Sequence, residues 1–235
     1  MRTPCKIILA SALALLPATS QEEEGHGFLN VVNLIPGTAS VDVTIAGKTL
    51  LPNGLEPGSA TGWFMVPAGD HTMSIALDQP EDAEPRIRRI SGQIPLVDGV
   101  SNVIVIYLHP SPSVRQDGTP FPPIIRIRSF PAFDGRGYAM KVISTCAEIQ
   151  RFQIGPNLVE ATPLEAVEIS NWAGGAFDIV HNGQVIGKAD ASTEPGSFFL
   201  FVGNHPAGGF VTVLTRAGTQ SAPPWMRKRN ERNTP

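Results

Sequence analysis

Four arginines occur as two pairs, and within each pair the residues are two positions apart. They are Arg86 and Arg88, and Arg126 and Arg128. Because successive side chains of a strand point to opposite faces, residues spaced by two project from the same face. Guanidinium groups bind carboxylate, sulfate or phosphate through paired hydrogen bonds. If the two strands are neighbours, these four side chains form one cationic patch, which predicts binding of an anionic polysaccharide or another anionic envelope polymer.

The same arginines also fit an ordinary solvated strand face. Residues 21–85 carry ten acidic residues and one basic residue, whereas residues 86–141 carry three acidic and eight basic ones. Acids in the preceding loop, Glu81, Asp82 and Glu84, are placed to neutralise the patch. The formal net charge is −3, which does not indicate a nucleic-acid-binding protein.

The remaining chemistry-bearing residues form no recognised motif. The histidines, at 26, 71, 109, 181 and 205, have no metal-ligand spacing among themselves or with cysteine. No Gly-x-Ser-x-Gly elbow and no phosphate-binding glycine loop is present. The sequence therefore predicts a non-enzymatic protein without metal or cofactor.

Two other function classes stay open at this point. Carboxylates from both halves of the chain, Asp42, Glu56, Glu165 and Asp178, would form a polysaccharide hydrolase if two of them met about 5–10 Å apart in a cleft. An accessory subunit that docks to a protein partner would instead expose an apolar patch of more than a few hundred Å².

The first 20 residues have the pattern of an export signal. Arg2 and Lys6 flank the start of an apolar run, Ile7–Leu16, that is too short to span a bilayer. We expect cleavage before Gln21, a secreted or periplasmic mature protein, and no membrane insertion of that mature chain. Cys146 is then the single cysteine, so we predict no disulfide and a buried, apolar-like role for its side chain.

The elements that must position these residues are strands. Val41–Ile45 alternates apolar and polar residues with period two, and Asn102–Leu108 is apolar throughout, which is typical of a central strand buried on both faces. Asn182-Gly183 matches a type I′ hairpin turn. Thr162–Glu165 has a helix-start pattern, but the alternation that follows it favours a strand. The fold class is predicted to be all-β.

The chain is predicted to hold two sandwich halves of about seven strands each, immunoglobulin-like or transthyretin-like. Their expected bounds are 27–130 and 138–218, followed by a disordered basic tail, 219–235. Similar patterns recur about 109 residues apart, including Trp63 and Trp172, which predicts a diverged tandem repeat. A second alignment, with a shift near 136, is also possible.

A family resemblance rests on Val41–Gly47 (VDVTIAG) and on Val66–Ile75 (VPAGDHTMSI). The stretch resembles a bacterial family of exported β-sandwich domains of unknown function that often occur in tandem. The family's His-Ala-Ser-Pro-Asp-Ala loop is replaced here by residues 33–39, NLIPGTA. Pro-Ala-Gly-x-His is also similar to a hairpin found in small bacterial envelope modules. The resemblance implies a non-catalytic module and supplies no catalytic residue.

Overall fold

A computed structural model describes eleven segments of the chain, and within them the regular secondary structure is β-strand only. The described residues are 25–36, 40–51, 53–77, 90–109, 114–119, 121, 123–132, 139–170, 172–191, 197–204 and 209–217. The first eight strands are β1 (His26–Asn33), β2 (Val41–Ile45), β3 (Lys48–Thr49), β4 (Ser59–Pro67), β5 (Gly69–Leu77), β6 (Ile90–Leu96), β7 (Ser101–His109) and β8 (Ile124–Pro131). The other eight are β9 (Ala139–Ser144), β10 (Gln150–Ile154), β11 (Asn157–Ala161), β12 (Ala166–Ser170), β13 (Ala176–His181), β14 (Gln184–Asp190), β15 (Ser197–Asn204) and β16 (Phe210–Arg216). The prediction of an all-β fold is confirmed.

The sixteen strands form four sheets, and the second pair of sheets repeats the strand order of the first. The first half contains the sheets β4-β1-β7-β8 and β3-β2-β5-β6, and the second half contains β12-β9-β15-β16 and β11-β10-β13-β14. In each half the first strand pairs in parallel with the seventh, β1 with β7 and β9 with β15. Each half has eight strands instead of about seven.

Three apolar cores hold the four sheets together as a stack of four layers. One core lies between the two sheets of the first half and another between the two sheets of the second half. A third core, the junction core, contains residues of both halves. Its buried members are Val32, Leu34, Val103, Val105, Tyr107, Phe130, Ile143, Phe199, Phe201, Val213 and Ala217. We call β4-β1-β7-β8 and β12-β9-β15-β16, which share this core, the inner sheets, and the other two the outer sheets.

Burial along the strands follows from this layering. In β2, Val41, Val43 and Ile45 are buried while Asp42 is exposed, as expected for an outer strand with one covered face. In β7, Val103–Leu108 is buried without alternation because an inner strand has a core on each side. The predicted central strand is therefore confirmed.

Two-residue turns close hairpins in both outer sheets. Asn182 and Gly183 have φ of 48° and 76°, and the turn is closed by the pairing of His181 with Gln184. Positive φ at both central residues is the type I′ geometry, which confirms the predicted turn. Thr162–Glu165 begins no helix, because the chain continues as strand β12.

The Pro67–Gly69 connection is not a hairpin. β4 pairs with β1 in the inner sheet, whereas β5 pairs with β2 and β6 in the outer sheet. Ala68 therefore lies where the chain crosses from one layer of the sandwich to the other, and its N–H donates to the carbonyl of Gly25 at 2.7 Å. The hairpin interpretation of this motif was wrong, because a short connection in a sandwich also joins strands of different sheets.

The likeness of the two halves extends to individual hydrogen bonds. The N–H of Gly58 donates to the carbonyl of Asn33 at 2.9 Å, and the N–H of Leu164 donates to the carbonyl of Ser144 at 2.8 Å. Gly58 and Leu164 both have positive φ, 71° and 62°. The two halves therefore share this loop geometry, although a leucine stands where the first half has a glycine.

The pairing of Trp63 with Trp172 is wrong. Trp63 lies opposite Asn30 in β4, and the corresponding position of β12, opposite Lys141, is Glu168. Trp172 follows β12 and is buried in the core of the second half, whereas Trp63 is half-buried and packs against the junction core. The shift between the halves is not constant, because their loops differ in length.

Candidate functional site

Only one of the two predicted arginine pairs lies in the described residues. Arg86 and Arg88, like the acids at 81, 82 and 84, fall in the segment 78–89 outside them. The strand that follows this segment, β6, is in the outer sheet, whereas Arg126 and Arg128 are on β8 in the inner sheet. β6 and β8 are therefore not neighbours in one sheet, and the position of Arg86 and Arg88 themselves lies outside the described residues. In a sandwich, strands close in sequence are shared between two sheets.

Arg126 and Arg128 project from the face of β8 that is turned toward the second half. Arg126 lies opposite Tyr107 and Arg128 opposite Val105 in the register of β7 with β8. Directly opposed residues share a sheet face, and both partners belong to the junction core. β8 is an edge strand of its sheet. The two arginines therefore lie at the rim of the junction core, where both are exposed.

Neither arginine is neutralised by a described acidic residue. Two ion pairs seen among the described residues, Arg151–Glu160 at 2.8 Å and Lys188–Asp178 at 3.6 Å, lie in the second outer sheet and do not involve these arginines. A guanidinium that stays charged without a partner is open to an anion from solution. This pair is therefore the described part of the predicted cationic patch.

Tyr107 is a neighbour of the pair that sequence reasoning missed. Its side chain is 5 % exposed, and burial raises the pKa of its hydroxyl. The charges of Arg126 and Arg128 act in the opposite direction, toward a lower pKa, because they favour the phenolate. In the sequence, Tyr107 could have been noticed as the single residue with a polar group inside the apolar run Val103–Leu108 of β7.

Two of the carboxylates considered for hydrolysis, Asp42 and Asp178, lie in opposite outer layers of the stack. Asp42 is exposed on β2 of the first outer sheet, and Asp178 is exposed on β13 of the second outer sheet. These sheets are the outermost layers of the stack, so the two inner sheets separate the two residues. Asp178 is also ion-paired with Lys188. Glu56 and Glu165 precede β4 and β12, which are edge strands of the two inner sheets.

His71 and His181 make structural contacts, and Cys146 is buried. His71 Nε2 lies 2.6 Å from the carbonyl oxygen of Pro67, and His181 Nε2 lies 2.9 Å from Gln150 Oε1. Within the described ranges, no three His, Cys, Asp or Glu side chains are grouped so that they could hold a metal ion. Cys146 forms no disulfide and is 2 % exposed, which confirms its predicted burial.

Comparison with protein-family models and with curated proteins assigns no family to this chain. No protein-family model matches the chain, and no curated protein is significantly similar to it. The part of the chain that the structure describes contains no helix with the length and hydrophobicity needed to cross a membrane. The arguments about function therefore rest on the residues and their arrangement.

Proposed function

We propose that this protein is an exported, non-enzymatic β-sandwich module of the cell envelope or extracellular space that binds an anionic polymer. The observation that carries the proposal is the pair Arg126 and Arg128, which is exposed, has no ionic partner among the described residues and lies on one face of an edge strand. Long-range Coulomb attraction and paired hydrogen bonds both favour a polyanion at such a surface.

We also propose a fold family for the two halves and a gene-duplication origin for the chain. Two sandwiches with the same order of eight strands support a diverged tandem duplication of an immunoglobulin-like or transthyretin-like unit. Arg86 and Arg88 are proposed to extend the binding surface. The hydrolase alternative is not favoured, because Asp42 and Asp178 lie in opposite outer layers of the stack.

Binding to heparin resin tests the proposed surface. We expect the wild type to bind at low salt and to elute as the screening length falls from about 10 Å at 0.1 M to about 3 Å at 1 M. The Arg126→Ala/Arg128→Ala variant should lose this binding. A matched control, Arg151→Ala/Lys188→Ala, removes the same charge from the second outer sheet and should bind like the wild type. Equal losses in both variants, or no binding by the wild type, would contradict the proposal.

Export is supported by the pattern of Met1–Ser20 and is tested by intact mass. Protein isolated from its native source should have a mass that starts at Gln21, because the signal would be removed during secretion. A mass that retains Met1–Ser20 in the functional protein would argue against export.

A further inference from the structure

We propose that Tyr107 is a third ligand-binding residue beside Arg126 and Arg128, so that the three side chains form one site for a sulfate or phosphate ester. This inference rests on the proposed function, because it assigns a hydroxyl donor and a ligand class to the same surface. The site lies at the rim of the junction core, on the edge strand β8 and its neighbour β7.

The strand register brings the three side chains within reach of one group. Tyr107 lies directly opposite Arg126 and diagonally opposite Arg128. Directly opposed residues have Cβ atoms about 4.5–5.5 Å apart, and diagonal neighbours are about 7–8 Å apart, within reach of aromatic and long side chains. Both arginine charges act on the Tyr107 hydroxyl, which agrees with this proximity.

The Tyr107 hydroxyl has no hydrogen-bond partner among the described residues, so within them its donor is not used. The aromatic ring is packed into the junction core, so its direction is fixed before a ligand arrives. A donor held in place by packing loses little conformational freedom on binding.

The donor set favours a tetrahedral anion over a carboxylate. A carboxylate has two oxygen atoms, and one guanidinium can occupy both of them in a bidentate pair. A sulfate or phosphate monoester has a third terminal oxygen, which can accept a hydrogen bond from the hydroxyl while the guanidiniums bind the others. We therefore assign sulfated or phosphorylated polymers as the ligand class.

Tyr107→Phe removes the hydroxyl and keeps the packed ring, so it separates binding from folding. Dissociation constants for heparin, desulfated heparin and dextran carrying phosphate monoesters are measured for the wild type and the variant at one salt concentration. We expect the variant to bind heparin or the phosphorylated dextran, depending on which anion the wild type binds, about tenfold more weakly. Affinity for desulfated heparin, which has only carboxylates, should not change. The matched control Thr72→Val removes a hydroxyl from the first outer sheet and should bind like the wild type.

The outcomes distinguish this inference from the proposed function. If the wild type binds no polyanion, the proposed function fails and the inference fails with it. If Arg126→Gln/Arg128→Gln abolishes binding but Tyr107→Phe binds every probe like the wild type, only the role of Tyr107 is overturned. An equal loss for sulfated and desulfated heparin would overturn the assigned ligand class.

A spectroscopic titration reports on the same hydroxyl directly. The chain has two tyrosines, so a Tyr138→Phe background leaves Tyr107 as the single phenol that titrates. Its pKa should rise when Arg126 and Arg128 are replaced by glutamine, because the charges that favour the phenolate are lost. A bound sulfated or phosphorylated polymer should also raise it. A pKa that does not move on saturation with ligand would overturn the proposed contact.

Discussion

Trp172 shows how the burial of one large side chain depends on its place in the stack. It is 5 % exposed and packs edge-on against Phe177, with ring centroids 4.7 Å apart. Its indole N–H is buried and has no hydrogen-bond partner among the described residues, which offsets part of the gain from burying the ring. Trp63 is half-buried at the junction. The two tryptophans should therefore contribute unequally to stability.

Substitution of each tryptophan by alanine tests this difference. Trp172→Ala should lower the free energy of unfolding by about 3–5 kcal/mol, and Trp63→Ala should lower it less, because less of its ring leaves a core. Trp172→Phe should cost much less than Trp172→Ala, since it also removes the unpartnered N–H. Urea denaturation measures all three. Equal losses for Trp63→Ala and Trp172→Ala would contradict the assignment of the two residues to different environments.

The two outer sheets contain corresponding turns, each of which holds a residue in a left-handed backbone conformation. Ala46 has φ of 51° in the turn between β2 and β3, and Gly155 has φ of 54° in the turn between β10 and β11. Each residue follows a strand-ending isoleucine, and the closing pairs, Ile45 with Lys48 and Ile154 with Asn157, correspond. The left-handed conformation disfavours alanine and suits glycine or asparagine.

Substitutions at Ala46 and Gly155 should change the free energy of unfolding in opposite directions. Ala46→Asn should raise the free energy of unfolding by about 0.5–1 kcal/mol, because asparagine tolerates positive φ. Gly155→Ala should lower it by at least about 1 kcal/mol. The substitution places an alanine in the left-handed conformation and puts its methyl group 3.3 Å from Trp172 Cη2. Thermal unfolding monitored by circular dichroism compares both variants with the wild type. A destabilised Ala46→Asn variant would show that the first turn is not strained.

At the scale of the whole molecule, the junction core joins the halves into one packed unit. Phe201 is fully buried there and lies near Phe130 of the first half, with ring centroids 5.9 Å apart. Asn30 Nδ2 of β1 also donates to Thr215 Oγ1 of β16 at 2.7 Å. Apolar strands such as β7 and β15 would be exposed on one face if the halves separated. The halves should therefore unfold together.

Calorimetry tests this coupling. The wild type should show one transition whose calorimetric and van't Hoff enthalpies agree, as in a two-state protein. Phe201→Ala should cost about 3–5 kcal/mol, because it opens a cavity between the halves. Two separate transitions in the wild type would mean that each half folds alone and that the junction contributes little.

Local patterns predicted the strands, but they did not predict the layers. The alternation in β2 and the apolar run of β7 depend on which faces of a strand are covered, and both are visible in a few residues. The separation of β6 from β8, and of Trp63 from Trp172, depends on pairings between distant segments and on loop lengths. Tyr107 was missed for the same reason, because its place beside Arg126 follows from the register of β7 with β8.

The ends of the described chain both belong to the inner layers. Gly25 precedes β1, and Ala217 follows β16 and donates from its N–H to the carbonyl of Ser197 at 2.9 Å. The two outer sheets are the outermost layers of the stack, so their uncovered faces point in opposite directions. A molecule bound to the face that carries Thr72, Ser74 and Ser91 would therefore leave the face that carries the ion pairs Arg151–Glu160 and Lys188–Asp178 uncovered.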